Sequence, residues 1–372
     1  MIEAAVTPAD AQQFRILIKS VGTARPSASA AVAKGLGLPA STVIARLYRA
    51  PAVLVDGIDE PVAERMAGFL GEIGYEAEVQ GMSEPAPVPA PLNDVAVYIE
   101  DARQFQQVVE KLASFLGVAE PDASRLILAP PGVVLGSVSD ATVNAFSEHM
   151  GAGVSILSSQ PDKACYDLFV SAEKGMVQNR ILADMASASL EFCGDDGLMA
   201  VNVSHSSAQD LWRRHQASGL LRVVNQDFLR FDLVLCEAGE ACEPVQRQVE
   251  ILERLAGVPS KLVAEVLNSA PITLLESVPS ADVSAHMEEF AEAGIKVRAD
   301  LITFQVLGLE VLEISDIPRL KKVLEDLELL KPGEPLPRAP FMLPGVMPEL
   351  QARVTRAALE DCGARIALVE VS

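Results

Sequence analysis

The chain has 372 residues, with 30 Lys and Arg against 51 Asp and Glu, a formal charge of −21 and a pI near 4.6. Apolar residues make up 49% and the mean hydropathy is +0.25, which excludes a wholly disordered chain and supplies material for packed cores. Such an acid surplus repels a sugar-phosphate backbone, whose recognition needs clustered Lys and Arg, so no nucleic acid is expected as a partner. The most apolar stretch, residues 126–138, is too short to span a bilayer and is broken by Pro130 and Pro131, so no membrane insertion is expected. The opening MIEAAVTPADAQQF has neither the basic region nor the apolar run of an export signal. Five cysteines (Cys165, Cys193, Cys236, Cys242 and Cys362) are too scattered for a disulfide framework. A soluble, cytoplasmic protein is the expectation.

In chain order, FRILIK reads as an alternating strand, and residues 27–34 as a small-residue helix that Gly35-Leu36-Gly37-Leu38 stops. Pro39 suits the first turn of a second helix carrying Val43, Ile44 and Leu47, which Pro51 ends. The run AVLVDGI reads as a second strand. A third helix follows, with Val62, Met66, Phe69 and Ile73 on one apolar face, and YEAEVQ closes as a third strand.

That order recurs. Pro51, Pro130, Pro271 and Pro340 each precede a glycine by 23 positions (Gly74, Gly153, Gly294 and Gly363), and a worn copy ends at Gly219. The intervals between the five terminal glycines are 79, 66, 75 and 69. Five tandem copies at this spacing are small units that lean on one another. The fold class is α+β: five small two-layer domains, each strand-helix-helix-strand-helix-strand, with the third and fifth degenerate because LEFCGDDG and KPGEPLPRAP replace the second helix. The expected boundaries are 1–81, a linker over 82–94, then 95–160, 161–228, 229–301 and 302–372. Pro85, Pro87, Pro89 and Pro91 make the linker a semi-rigid polyproline spacer, so repeat one is expected to act as a mobile arm and repeats two to five to stack tightly.

Repeat one, with FRILIKSVG, KGLGL, RAP and a helix ending EIGYEAEV, resembles the C-terminal globular domain of the bacterial ribosomal stalk protein. Repeat four shares the pattern more weakly, and repeat two is similar to the related Clp protease adaptor fold. The resemblance implies a fold used to grip other proteins. The stalk domain recruits translation factors through lysines, two of them just after its GLGL. Here Pro39 and Thr42 stand near those places, while Arg25 and Lys34 remain basic. Where the adaptor family carries an Asn-Asp pair, repeat two has Glu100-Asp101.

No phosphate loop, nucleophile elbow or dinucleotide fingerprint occurs, and no cofactor is expected. Cys236 and Cys242 lack companion metal ligands, and Asp195-Asp196-Gly197 reads as a tight turn. His149 and His215 each lie four before a terminal glycine, where the other repeats have Leu70, Phe290 and Leu359, so both are expected to face a core. Trp212 is expected to pack between repeats. The acidic stretches MEEFAEAG and EDLE read as solvated faces. These features point to a non-enzymatic protein-binding scaffold or adaptor whose partner-binding residues are Arg25, Lys34, Arg46 and Arg49, scarce positive charges in an acidic chain. Two alternatives are an enzyme or accessory subunit with a composite site of His149, His215 and Cys165, and an oligomer-forming structural protein.

Overall fold

A computed structural model describes residues 13–171, 175–192, 198–236 and 245–370. Repeat one comprises β1 (Phe14–Ser20), α1 (Pro26–Leu36), α2 (Ala40–Tyr48), β2 (Ala52–Ile58), α3 (Glu60–Glu72) and β3 (Glu76–Gly81). Repeat two follows with β4 (Leu92–Ile99), α4 (Phe105–Leu116), α5 (Glu120–Leu128), β5 (Val133–Ser139), α6 (Asp140–Met150) and β6 (Val154–Ser159). Among the described residues repeat three has a single helix, α7 (Met176–Ser187), between β7 (Cys165–Val170) and β8 (Leu198–Ser204), then α8 (His205–His215) and β9 (Leu221–Asn225). Repeat four restores the full set: β10 (Arg230–Leu235), α9 (Gln246–Ala256), α10 (Val263–Leu267), β11 (Ile272–Pro279), α11 (Ser280–Glu292) and β12 (Val297–Leu301). Repeat five runs β13 (Val306–Ile314), α12 (Ile317–Asp326), β14 (Phe341–Met342), β15 (Met347–Pro348), α13 (Glu349–Glu360) and β16 (Ala364–Glu370).

The fold is mixed α+β, and the described residues form five small antiparallel sheets. In each of the first four the opening strand lies in the middle, as in β2-β1-β3. In repeat five the FMLPGVM run does not form one strand. β14 and β15 pair with opposite ends of β13 on the edge away from β16, with Pro344 between them, a residue that has no N–H for a ladder.

Local chemistry explains the shared order. The first helix of repeats one, two and four ends at a left-handed glycine, Gly37, Gly117 or Gly257, with φ of 65°, 68° and 62°. That conformation costs a glycine no Cβ clash and lets its N–H return to the last turn. A second left-handed residue sits three before the long helix: Gly57, Ser137, Asn202 and Ser277. In repeats two, three and four an aspartate on the central strand accepts its N–H, with Asp94, Asp167 and Asp232 at 3.0, 3.4 and 2.8 Å. These contacts hold the bulge at which the register of each pair of strands shifts.

The long helix opens nine residues after Pro51, Pro131, Pro271 and Pro340, at Glu60, Asp140, Ser280 and Glu349. The counterpart of Pro51 in repeat two is therefore Pro131, not Pro130, and the core position moves by one. Ten residues into each long helix stand Leu70, Met150, His215, Phe290 and Leu359, all buried. His149, expected in the core, is exposed beside Met150. On α3 the core face runs through Ala63 and Leu70; Phe69, expected inside, is 52% exposed, and Val62 and Met66 are half-buried.

The chain forms two compact units, residues 1–160 and 161–372. Repeat one belongs with repeat two in the first unit, contrary to the mobile arm expected from the linker. Residues 92–94, expected in the linker, already belong to β4.

Candidate partner-binding face

Repeat one presents α1 and α2 on one side of its sheet. Arg25 is the N-cap of α1 and Lys34 lies in its last turn, both exposed. Nine residues of helix separate them by about 13 Å along the axis. Arg49, the C-cap of α2, is exposed as well. Arg46 differs: its Nη1 donates to the carbonyl of Leu54 at 2.6 Å, so its head group staples α2 to β2. Ile44, an apolar residue of the same helix, is 43% exposed.

The end of α2 is fixed from outside the repeat. Thr142 Oγ1 of α6 donates to the carbonyl of Tyr48 at 2.8 Å, and Ser139 Oγ lies 3.5 Å from the same oxygen. The Tyr48 ring meets Phe115 edge-on with centroids 6.3 Å apart, and Phe115 in turn contacts Phe146 at 4.9 Å. At Gly117 a Cβ would fall 2.5 Å from Pro26, so the chain of repeat two passes too close to α1 for any side chain there. Burial, reinforced by the nearby Tyr75, pushes the Tyr48 phenol up to about 12. Burial also raises Tyr75, whose hydroxyl lies 2.9 Å from Ser29 Oγ. No sequence pattern marks this joint, because Tyr48 acts through its backbone oxygen and Thr142 reads as an ordinary helix residue.

The histidines and cysteines occupy separate local settings. His149 Nε2 donates to the carbonyl of Lys111 at 3.0 Å, and its ring packs on Phe115. His215, 5% exposed, donates from Nε2 to Asp184 Oδ2 on α7 at 2.9 Å. Cys165 is exposed at the start of β7, opposite Ser204. Among the described residues no three His, Cys, Asp or Glu side chains converge as metal ligands. Cys193, Cys242 and the Asp195-Asp196-Gly197 turn lie outside the described residues. Trp212, expected to pack between repeats, is 45% exposed on α8. Among the described residues no helix is long and apolar enough to cross a membrane.

Comparison of the chain with protein-family models, curated proteins and solved structures found no match.

Proposed function

We propose that this chain is a non-enzymatic protein-binding scaffold or adaptor built of stalk-domain-like modules, with α1 and α2 of repeat one as a docking face. The observation that carries the reading is charge segregation. Residues 13–55 hold six Lys and Arg and no Asp or Glu, within a chain of net charge −21. The corresponding helices of repeats two and four carry acids in their first turns, Glu120 and Asp122 on α5 and Glu265 on α10, whereas α1 and α2 carry none. Arg15, Lys19 and Arg46 are engaged within the repeat, by Gln80, Glu78 and Leu54. Arg25, Lys34 and Arg49 are left to meet an acidic protein surface, with the exposed Ile44 of α2 as an apolar contact. The resemblance to the stalk domain supports a gripping role for this face.

The test compares the tagged full-length chain with its Arg25→Ala/Lys34→Ala/Arg49→Ala variant in binding to a protein that co-purifies with it. Rim charges act mainly on association rate, and salt screens them over about 8 Å at physiological strength. The triple variant should therefore bind more slowly and lose most of the salt dependence. Equal rates at low and high salt for both proteins would overturn the assignment of this face.

A further inference from the structure

The segment between β3 and β4 has a form of its own. Ten residues separate these strands, whereas five, four and four separate β6 from β7, β9 from β10, and β12 from β13. Repeats one and two nevertheless touch directly through Tyr48, Thr142, Pro26 and Gly117, so this length is not needed to hold them apart.

Its conformation follows from its prolines. Pro85, Pro87, Pro89 and Pro91 each fix φ near −65°, and Glu84, Ala86, Val88 and Ala90, each preceding a proline, are driven out of the helical region. Residues 85–91 accordingly carry no helix, turn or bend and are biased to an extended, polyproline-like backbone. Within the segment Pro87 and Ala90, three apart, are half-buried, while Pro85, Ala86, Val88, Pro89 and Pro91 are exposed. At three residues per turn Pro85, Val88 and Pro91 share one side. Val88 is 83% exposed. The start of the segment is fastened, since Arg15 Nη2 donates to the carbonyls of Glu84 and Pro85 at 2.6 and 2.8 Å. Its end runs into β4 at Leu92.

We infer that residues 85–91 are a second binding element, a pre-formed polyproline ridge of Pro85, Val88 and Pro91 for a partner domain with an aromatic-lined groove. The ridge spans about 19 Å at 3.1 Å per residue, the reach of a short proline-rich ligand. Aromatic grooves accept such ridges because flat rings pack on the pyrrolidine faces and little chain entropy remains to be lost. Anchoring at Arg15 and Leu92 lowers that loss further. Glu84 flanks the ridge on its N-terminal side, so the groove it fits has a neutral or basic rim. This element is separate from the basic face on α1 and α2, and the two readings stand or fall independently.

The test titrates the full chain into three purified domains that read polyproline through aromatic grooves, of the SH3, WW and EVH1 types, following the fluorescence of a groove tryptophan. At least one should bind saturably. Pro85→Ala/Val88→Gly/Pro91→Ala should weaken that binding at least tenfold, and Pro87→Ala, on the inward side, by much less. Thermal melts of both variants report whether the fold is retained. Arg25→Ala/Lys34→Ala/Arg49→Ala should bind these domains like the wild type, which separates this outcome from the fate of the basic face. Absence of saturable binding to all three domains, or equal binding by the folded ridge variant, would overturn the inference.

Discussion

Thr142 Oγ1 donates a 2.8 Å hydrogen bond to the carbonyl of Tyr48, and through it the third helix of repeat two holds the second helix of repeat one. Thr142 is fully buried, and at 3.5 Å Ser139 can only partly replace it. Thr142→Val keeps the shape and removes the donor, leaving a carbonyl poorly satisfied. The expected cost is about 1–3 kcal/mol, read in the denaturation of the full chain. An unchanged midpoint would mean that water supplies the missing donor.

Tyr48 offers a spectroscopic handle on the same joint. Its phenol is raised to about 12 by burial first and by Tyr75 second. A folded value above the unfolded one, near 10, means that the un-ionised phenol favours the folded state. That contribution is fully present below pH 10 and is lost as pH rises through about 12. Tyrosinate absorbance should therefore show a late component, the latest part of which is lost in Tyr48→Phe while the raised Tyr75 keeps the rest. If all four tyrosines titrate together near pH 10, the ring is not shielded by Phe115.

The aspartates under the bulges set a second pH dependence. Burial raises Asp167 and Asp232, and Glu276, Asp300 and Glu370 raise Asp232 further, against the lowering effect of the Ser277 N–H. With a folded value above the unfolded one, the contribution to stability is present below the unfolded pKa and lost as pH rises through the folded one. At neutral pH the charge on Asp232 therefore works against folding. Asp232→Asn retains an acceptor for Ser277 and should melt no lower than wild type at pH 7, with the difference shrinking toward pH 4. Asp232→Ala, which loses the acceptor, should melt lower. A lower melting point for the Asn variant at pH 7 would show that the charge itself is needed.

How much of this was legible in the chain depended on whether backbone or side chains carried the information. The helix stop at Gly37 is readable because a left-handed turn selects glycine, and Gly117 and Gly257 take the same conformation in repeats two and four. The Pro-to-Gly spacing exposed the repeat, yet at Pro130-Pro131 it could not tell which proline held the register. One residue of slip moved His149 from surface to core. Phe69 was misplaced for a related reason: helical spacing alone also admits the face one residue around from Ala63 and Leu70. The Asp94, Asp167 and Asp232 contacts were visible only as a strand aspartate before Val or Leu, a pattern with no meaning until the bulge is seen. The docking of repeat one on repeat two left no signal, because a proline-rich stretch specifies a stiff chain and not the distance between its ends. All four basic residues expected at the face are exposed, yet the Arg46 head group is bound to the Leu54 carbonyl because a long side chain on α2 can reach the neighbouring strand.

His215 stands where the other repeats bury Leu70, Met150, Phe290 and Leu359, and its partner Asp184 is 29% exposed on the side chain. Removing one member of a buried polar pair leaves the other unsatisfied, whereas replacing both with apolar groups can be neutral or stabilising. His215→Leu should therefore cost about 1–3 kcal/mol, since Asp184 then keeps a carboxylate beside an apolar core. Adding Asp184→Ala removes that penalty and gives repeat three the apolar packing of its neighbours. The double variant should recover to within about 1 kcal/mol of wild type or exceed it. Denaturation of the four members of the cycle measures the coupling directly, with hydrogen exchange of α7 and α8 assigning it to repeat three. Additive losses in the double variant would mean that His215 and Asp184 act separately, and that the 2.9 Å contact contributes nothing of its own.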